Sequence, residues 1–269
     1  MLELLEYIIL GIIQGFTEPI PVSSSGHVMI LNSILNTNID IGLLAILTNF
    51  GSLIAIIFLY RDRIKSLFLD FISYLKKGNA SSKENFRYTI LLIIATIPAG
   101  VMGLVVTKLG LFDFLEKNIK FVGITLLITA IFLFLIRNIK GEKDNKKITL
   151  KDAIIIGLFQ VIALVPGISR SGSTIVGGML RNLKRETAFD FSFLLYIPIS
   201  VATTILGFKD LFTSNLSFIT IIYYLIATLI AGIVTYFATK WFRNVVKEGK
   251  LIYFVIYCLI VGSLVIIFL

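Results

Sequence analysis

Long apolar runs separated by short polar stretches dominate this 269-residue chain. Six runs, roughly 41–60, 88–107, 120–136, 187–207, 218–238 and 251–268, are long enough to cross the hydrocarbon core of a bilayer as helices. Two further apolar stretches, 1–35 and about 152–182, are interrupted. The first is broken by Pro19, Pro21 and a run of serines, the second by Pro166 and Gly167. Proline ends a helix, so each remaining piece is about half a crossing long. The pattern predicts a re-entrant hairpin in each stretch, two short helices meeting at a tip. Irregular backbone at that depth survives only when it is buried in protein or lines a wet cavity. The expected fold is an all-α polytopic membrane protein with six transmembrane helices and two re-entrant helical hairpins.

The two broken stretches are copies. Gly11–His27 (GIIQGFTEPIPVSSSGH) laid over Gly157–Ser173 (GLFQVIALVPGISRSGS) at a constant offset of 146 matches Gly11, Gln14, Ser23, Ser25 and Gly26. Ser24 in the first copy stands opposite Arg170 in the second. The basic residues give the orientation. Residues 61–87 carry seven Lys or Arg, 137–151 six, 181–185 three and 240–250 four. The alternate loops carry only Lys108, Lys117, Lys120 and Lys209. The richer set belongs in the cytoplasm. The first hairpin then enters from outside, the second from the cytoplasm, and both termini are extracytoplasmic. This is an inverted-topology repeat of about 1–136 and 150–269 within a single integral-membrane domain, 1–269. In such folds broken helices meet near the midplane and build the site there.

Composition agrees: 57% of the residues are hydrophobic, 15% are charged, and the mean hydropathy is +0.95. The net charge of +9 sits in the short basic loops and argues for topology, not for a nucleic-acid partner. A single cysteine, Cys258, allows no intramolecular disulfide and no thiolate metal cluster. Glu3 and Glu6 at the N-terminus argue against a cleavable signal peptide.

The chemistry concentrates at the two tips. Gln14 and Glu18 share one helix face, and a carboxylate at that depth is functional by default. Together they offer oxygen ligands to a divalent cation, Mg²⁺ or Ca²⁺. Ser23, Ser24, Ser25, Gly26 and His27 exceed what helix capping needs, and the N–H groups of a helix start attract phosphate. His27 is a candidate general base, general acid or nucleophile, and Ser24 a rival nucleophile. Ser169, Arg170, Ser171, Gly172, Ser173 and Thr174 supply an arginine fork flanked by hydroxyls, suited to phosphate. Asp40, Glu186 and Asp190, near span ends, are expected to be solvated or capping, and residues 140–151 to form a solvated loop. Thr48, Asn49, Ser52, Ser192, Tyr196 and Pro198 are expected to line the cavity or pack helices. Trp241 reads as an interfacial anchor.

These motifs resemble a known family, the bacterial undecaprenyl-diphosphate phosphatases linked to bacitracin resistance. The first family motif is matched by Gln14 through His27 (QGFTEPIPVSSSGH), the second by Pro166 through Thr174 (PGISRSGST). The resemblance covers the whole chain. It implies a hydrolase that removes the terminal phosphate of undecaprenyl diphosphate, recycling the lipid carrier of peptidoglycan synthesis in the bacterial cell membrane. It also implies a divalent metal and a site opening to the outer face. By motif position Glu18 and Gln14 correspond to the metal-associated pair, Ser24 and His27 to the catalytic serine and histidine, and Arg170 to the phosphate-binding arginine. Ser23, Ser25, Gly26, Ser169, Ser171 and Thr174 complete the expected phosphate cradle. Gln14 departs from the acid that also occurs at its position, so it is no acid or base here, and Pro19 replaces an apolar residue. The type-2 phosphatidic acid phosphatases need a second histidine, which this chain lacks. A polyprenyl-lipid transporter or flippase stays open as the alternative, because inverted repeats with broken helices are transporter architecture. The sequence is silent on homo-oligomer formation.

Overall fold

A computed structural model describes residues 2–37, 39–110, 118–213 and 216–269. Among these residues the chain forms eleven α-helices. In order they are α1 Leu2–Thr17, α2 Ser24–Leu35, α3 Ile41–Leu59, α4 Arg61–Lys77, α5 Lys83–Lys108 and α6 Ile119–Ile136. Then follow α7 Leu150–Ile162, α8 Arg170–Leu180, α9 Arg185–Thr213, α10 Phe218–Glu248 and α11 Ile252–Phe268. Five of them, α3, α5, α6, α9 and α10, are long and apolar enough to cross a membrane. α11 is equally apolar but only 17 residues long. The chain is therefore an all-helical, multi-span membrane protein. Lys117, one of the four lysines of the alternate loops, lies outside the described residues.

Both interrupted stretches are pairs of short helices. α1 and α2 are separated by residues 18–23, and α7 and α8 by residues 163–169. Side chains cap the starts of several helices. Asp40 caps α3 through the Leu43 amide at 3.0 Å, and Thr149 and Asp152 form a reciprocal capping box at α7. Small residues let the short helices press backbone to backbone on long ones. A Cβ at Gly11 would lie 2.7 Å from the Ala227 carbonyl of α10, and at Gly15 2.4 Å from that of Ala231. At Gly157, the copy of Gly11, it would lie 2.6 Å from the Ala95 carbonyl of α5. Gly11 and Gly157, aligned at the offset of 146, thus do the same work, α1 lying on α10 and α7 on α5. A main core of buried side chains from α3, α5, α6, α8, α9 and α10 surrounds both tips.

Three expectations about charged segments are corrected. Residues 61–87 are not only a loop: α4 is an amphipathic helix, held to α5 by Asp70, which accepts from Asn85 and from Ser82 at 3.0 Å. Residues 140–151 are not simply solvated. Ile148 is fully buried, Arg87 donates to the Ile148 carbonyl at 2.7 Å, and Lys143 reaches the buried Asp152 at 3.0 Å. Asp152 also binds Arg181 at 2.8 Å, tying the start of α7 to the end of α8. Asp190 is neither solvated nor a cap; it accepts from the Tyr60 hydroxyl at 2.8 Å and from Arg243 at 3.1 Å. Glu186 pairs with Lys247 at 3.2 Å at the surface, and Trp241 lies half exposed, stacked on Phe16 at 5.9 Å.

Candidate active site where two broken helices meet

Each tip is built by a serine N-cap. The Ser23 hydroxyl accepts from the Gly26 amide at 3.3 Å, and the Ser169 hydroxyl from the Gly172 amide at 3.1 Å. The same offset of 146 relates the two caps. They differ in backbone: Ser169 is extended, whereas Ser23 has φ 69° and ψ 97°, a region a residue with a Cβ seldom occupies. The tips touch reciprocally. A Cβ at Gly26 would lie 3.2 Å from the Gly167 Cα, and one at Gly172 would lie 3.2 Å from the Pro21 Cβ. Because Pro21 and Gly167 also correspond at this offset, contact i–j′ is answered by i′–j. Ser171 adds a bond across the junction to the Ile20 carbonyl at 3.1 Å.

At this junction four of the expected residues converge. Glu18 Oε1 accepts from Arg170 Nη2 at 2.5 Å, while its Oε2 accepts from Ser24 Oγ at 2.5 Å and from Gln14 Nε2 at 2.9 Å. The Glu18 side chain is only 10% exposed and that of Arg170 22%. A carboxylate this deep is tolerable because three donors satisfy it. α2 and α8 both begin here, at Ser24 and Arg170. Their first-turn amides have no carbonyl within their own helix, and the positive ends of two helix dipoles point at the same place. The Arg170 guanidinium carbon lies over the Tyr196 ring, 3.9 Å from its centroid, and the Tyr196 hydroxyl donates to Asn49 Oδ1 at 2.5 Å. Ser192 holds Thr174 at 2.5 Å, and Thr174 in turn donates to the Arg170 carbonyl at 3.0 Å. Tyr196 and Ser192 line the cleft with Glu18 and Arg170, so of the two roles left open for them, lining applies. Ser52 packs helices, bonding Thr235 at 2.8 Å, and Thr48 bonds the Leu44 carbonyl at 2.6 Å.

The remaining expected site residues are placed differently. His27 is turned away from Glu18. Its Nδ1 meets the Ser23 carbonyl at 2.8 Å and its Nε2 the Tyr257 hydroxyl of α11 at 2.7 Å, with the two rings stacked. Nδ1–H donates to the Ser23 carbonyl and Nε2 pairs with the Tyr257 hydroxyl, so both ring nitrogens are engaged. Ser23 and Ser169 are spent on caps and Ser171 on the cross-tip bond, while Ser25 is exposed. Tyr257 had no sequence signal, being 230 residues from His27. The second tip lacks the acid altogether: Leu164 stands where Glu18 stands, and the amide of its buried Gln160 has no partner.

A divalent cation fits this donor set. The Gln14 Oε1 is buried without a partner beside the Glu18 carboxylate, and hard cations take such oxygens together with substrate phosphate oxygens. Among the described residues no group of three or more His, Cys, Asp or Glu surrounds a common point, so the protein would supply only part of a coordination shell.

A family model for bacitracin resistance protein BacA matches residues 7–264. Undecaprenyl-diphosphatase 1 of Bacillus licheniformis is 48% identical over 99% of this chain and 98% of its own length. Undecaprenyl-diphosphatase 2 of Bacillus thuringiensis is 44% identical over 99% and 98%. The undecaprenyl-diphosphatase of Oceanobacillus iheyensis is 42% identical over 99% and 97%.

Proposed function

The chain belongs to the bacitracin resistance protein BacA family, and from that premise we propose how its residues hydrolyse undecaprenyl diphosphate to undecaprenyl phosphate and phosphate. It is a membrane phosphatase of the bacterial cell membrane that returns the lipid carrier to cell-wall synthesis. One observation carries the mechanism: Ser24 Oγ, Glu18 and Arg170 are hydrogen-bonded in one line between two converging helix starts.

In this reading the lipid tail lies among the spans and the diphosphate enters between the tips, displacing Arg170 from Glu18. Arg170 presents its fork to the terminal phosphoryl group, and the amides of α2 and α8 add donors. Ser24 Oγ attacks the terminal phosphorus and its proton passes to Glu18 Oε2. The bond to the bridging oxygen breaks and the lipid monophosphate departs. Glu18 passes that proton to the departing lipid phosphate and, again a carboxylate, takes a proton from the water that attacks the phosphoserine; the Ser24 Oγ–P bond breaks, inorganic phosphate departs, and Glu18 returns the proton to Ser24 Oγ. His27 holds the strained Ser23 turn and thereby aims Ser24. Gln14 Oε1 and Glu18 would hold a divalent cation, which when bound neutralises phosphate charge.

The reciprocal tip contacts and the paired Gly11 and Gly157 packings support the inverted repeat, with six spans (α11 the sixth) and two re-entrant hairpins. The basic loops support extracytoplasmic termini. The same architecture favours a flippase as the second reading; phosphate release by the purified protein in detergent separates the two. The test of mechanism is rapid quench with substrate labelled in its terminal phosphate. Acid-stable label is expected on Ser24 and absent in Ser24→Ala; label on His27 instead, or full turnover by Ser24→Ala, overturns the assignment.

A further inference from the structure

A cavity of about 430 Å³, lined by both charged and apolar side chains, lies at the end of the bundle that carries the basic loops, between the ends of α3 and α10, the starts of α4 and α9, and Tyr88 of α5. It is stacked on the active-site cleft. Ile56 of α3 borders the cleft and Tyr60, the residue that follows α3, the cavity; on α10, Thr235 and Thr239 do so; on α9, Phe193 and Phe189. Each step is four residues, one helical turn or about 6 Å. The partition is aromatic: the Phe193 ring stacks on Phe189 at 4.3 Å and on Tyr60 at 6.3 Å.

The walls are net positive. Arg63, Lys240 and Arg243 line the cavity against Asp62 and Asp190. Asp190 is already satisfied by Tyr60 and Arg243. The Asp62 side chain is 93% exposed and lies 3.9 Å from Arg61, so water and a second cation screen it. Arg63 has one nitrogen bonded to Asn85 at 3.0 Å and its guanidinium 5.1 Å from the Tyr88 centroid, leaving further donors to spare. Tyr88 is the second, independent sign. It is 2% exposed, lines the cavity, and its hydroxyl has no partner among the described residues. A buried hydroxyl in a membrane bundle is costly to leave unpaired, and a ligand acceptor would pair it.

We propose that this cavity is a second anion site, taking a phosphate or phosphoryl headgroup against Tyr88, Arg63 and Lys240. It lies one turn from the reaction centre on the basic-loop face, so it serves phosphate leaving by that face or a lipid phosphate presented there. Nothing in it depends on the chemistry at Ser24. The full chain, purified with Arg170→Ala to weaken the cleft, is titrated with inorganic phosphate by calorimetry. Saturable binding persists, weakens about tenfold with Tyr88→Phe, and is lost with Arg63→Gln and Lys240→Gln combined. Tyr88→Phe keeps the ring against Phe191, and an unchanged thermal midpoint shows that the fold is intact. Geranyl phosphate distinguishes the sources: binding tenfold tighter than phosphate and equally sensitive to Tyr88→Phe assigns a lipid headgroup, and similar affinity assigns free phosphate. Loss of all binding with Arg170→Ala alone, or binding that ignores the cavity variants, overturns the site.

Discussion

At the scale of single residues, Glu18 is the hub. It joins the acceptor for Ser24, the partner of Arg170 and a candidate cation ligand in one carboxylate. Arg170 answers it with a planar fork over the Tyr196 ring, a geometry a lysine ammonium lacks. Arg170→Lys is therefore expected to lower kcat/KM by roughly 10²-fold or more, as loss of an aimed donor does; phosphate release near the unsubstituted rate would refute the bidentate role. Gln14 bears on the cation. Chelation should abolish turnover, and Gln14→Ala should raise the metal concentration for half-maximal rate by about tenfold, because a neutral ligand is lost while Glu18 stays. A metal-titration curve unmoved by Gln14→Ala would remove it from the coordination shell. The residue types at the tips were legible because serine, arginine and acid are conspicuous in apolar sequence. Their directions were not. Whether His27 faces Glu18 or Tyr257 depends on α11, far along the chain, and no local pattern encodes it.

At the scale of elements, helix breaks and helix bounds follow from proline, glycine and hydropathy, and most were legible to within about six residues. The exception is α10, which runs to Glu248, ten residues past the expected end, because Lys240, Trp241 and Arg243 continue the helix at the polar end rather than stopping it. α4 escaped for a similar reason: its charges read as loop, although Leu67 packs inward at 6% exposure. Asp152 shows what a charge at an element's end can do once tertiary partners arrive. Fully buried between Lys143 and Arg181, it staples the base of the second hairpin. Asp152→Ala leaves both cations without their acceptor and is expected to cost about 3 kcal/mol, read as a lower thermal midpoint in detergent, with KM for substrate little changed. A midpoint within a degree of the parent would mean that the staple carries no stability.

At the scale of the molecule, the two tips are complementary rather than equivalent: one brings carboxylate and serine, the other arginine, and where the first has Glu18 the second has Leu164. Topology is testable here. Lys77→Cys, at the end of α4, and Asn118→Cys, at the start of α6, are expected to react with an impermeant maleimide from opposite sides of a sealed membrane; labelling from the same side would end the inverted-repeat reading. The Glu18–Arg170 pair also bears on how the protein is made. Its partners are 152 residues apart in the chain, so at ordinary rates of synthesis Glu18 waits roughly 8–30 s for Arg170 to leave the ribosome. Through that interval Glu18 has only the neutral donors Ser24 and Gln14 and no countercharge, which disfavours its insertion by a few kcal/mol. The pair closes only once the second hairpin has been made, which ties the assembly of the site to the completion of biogenesis.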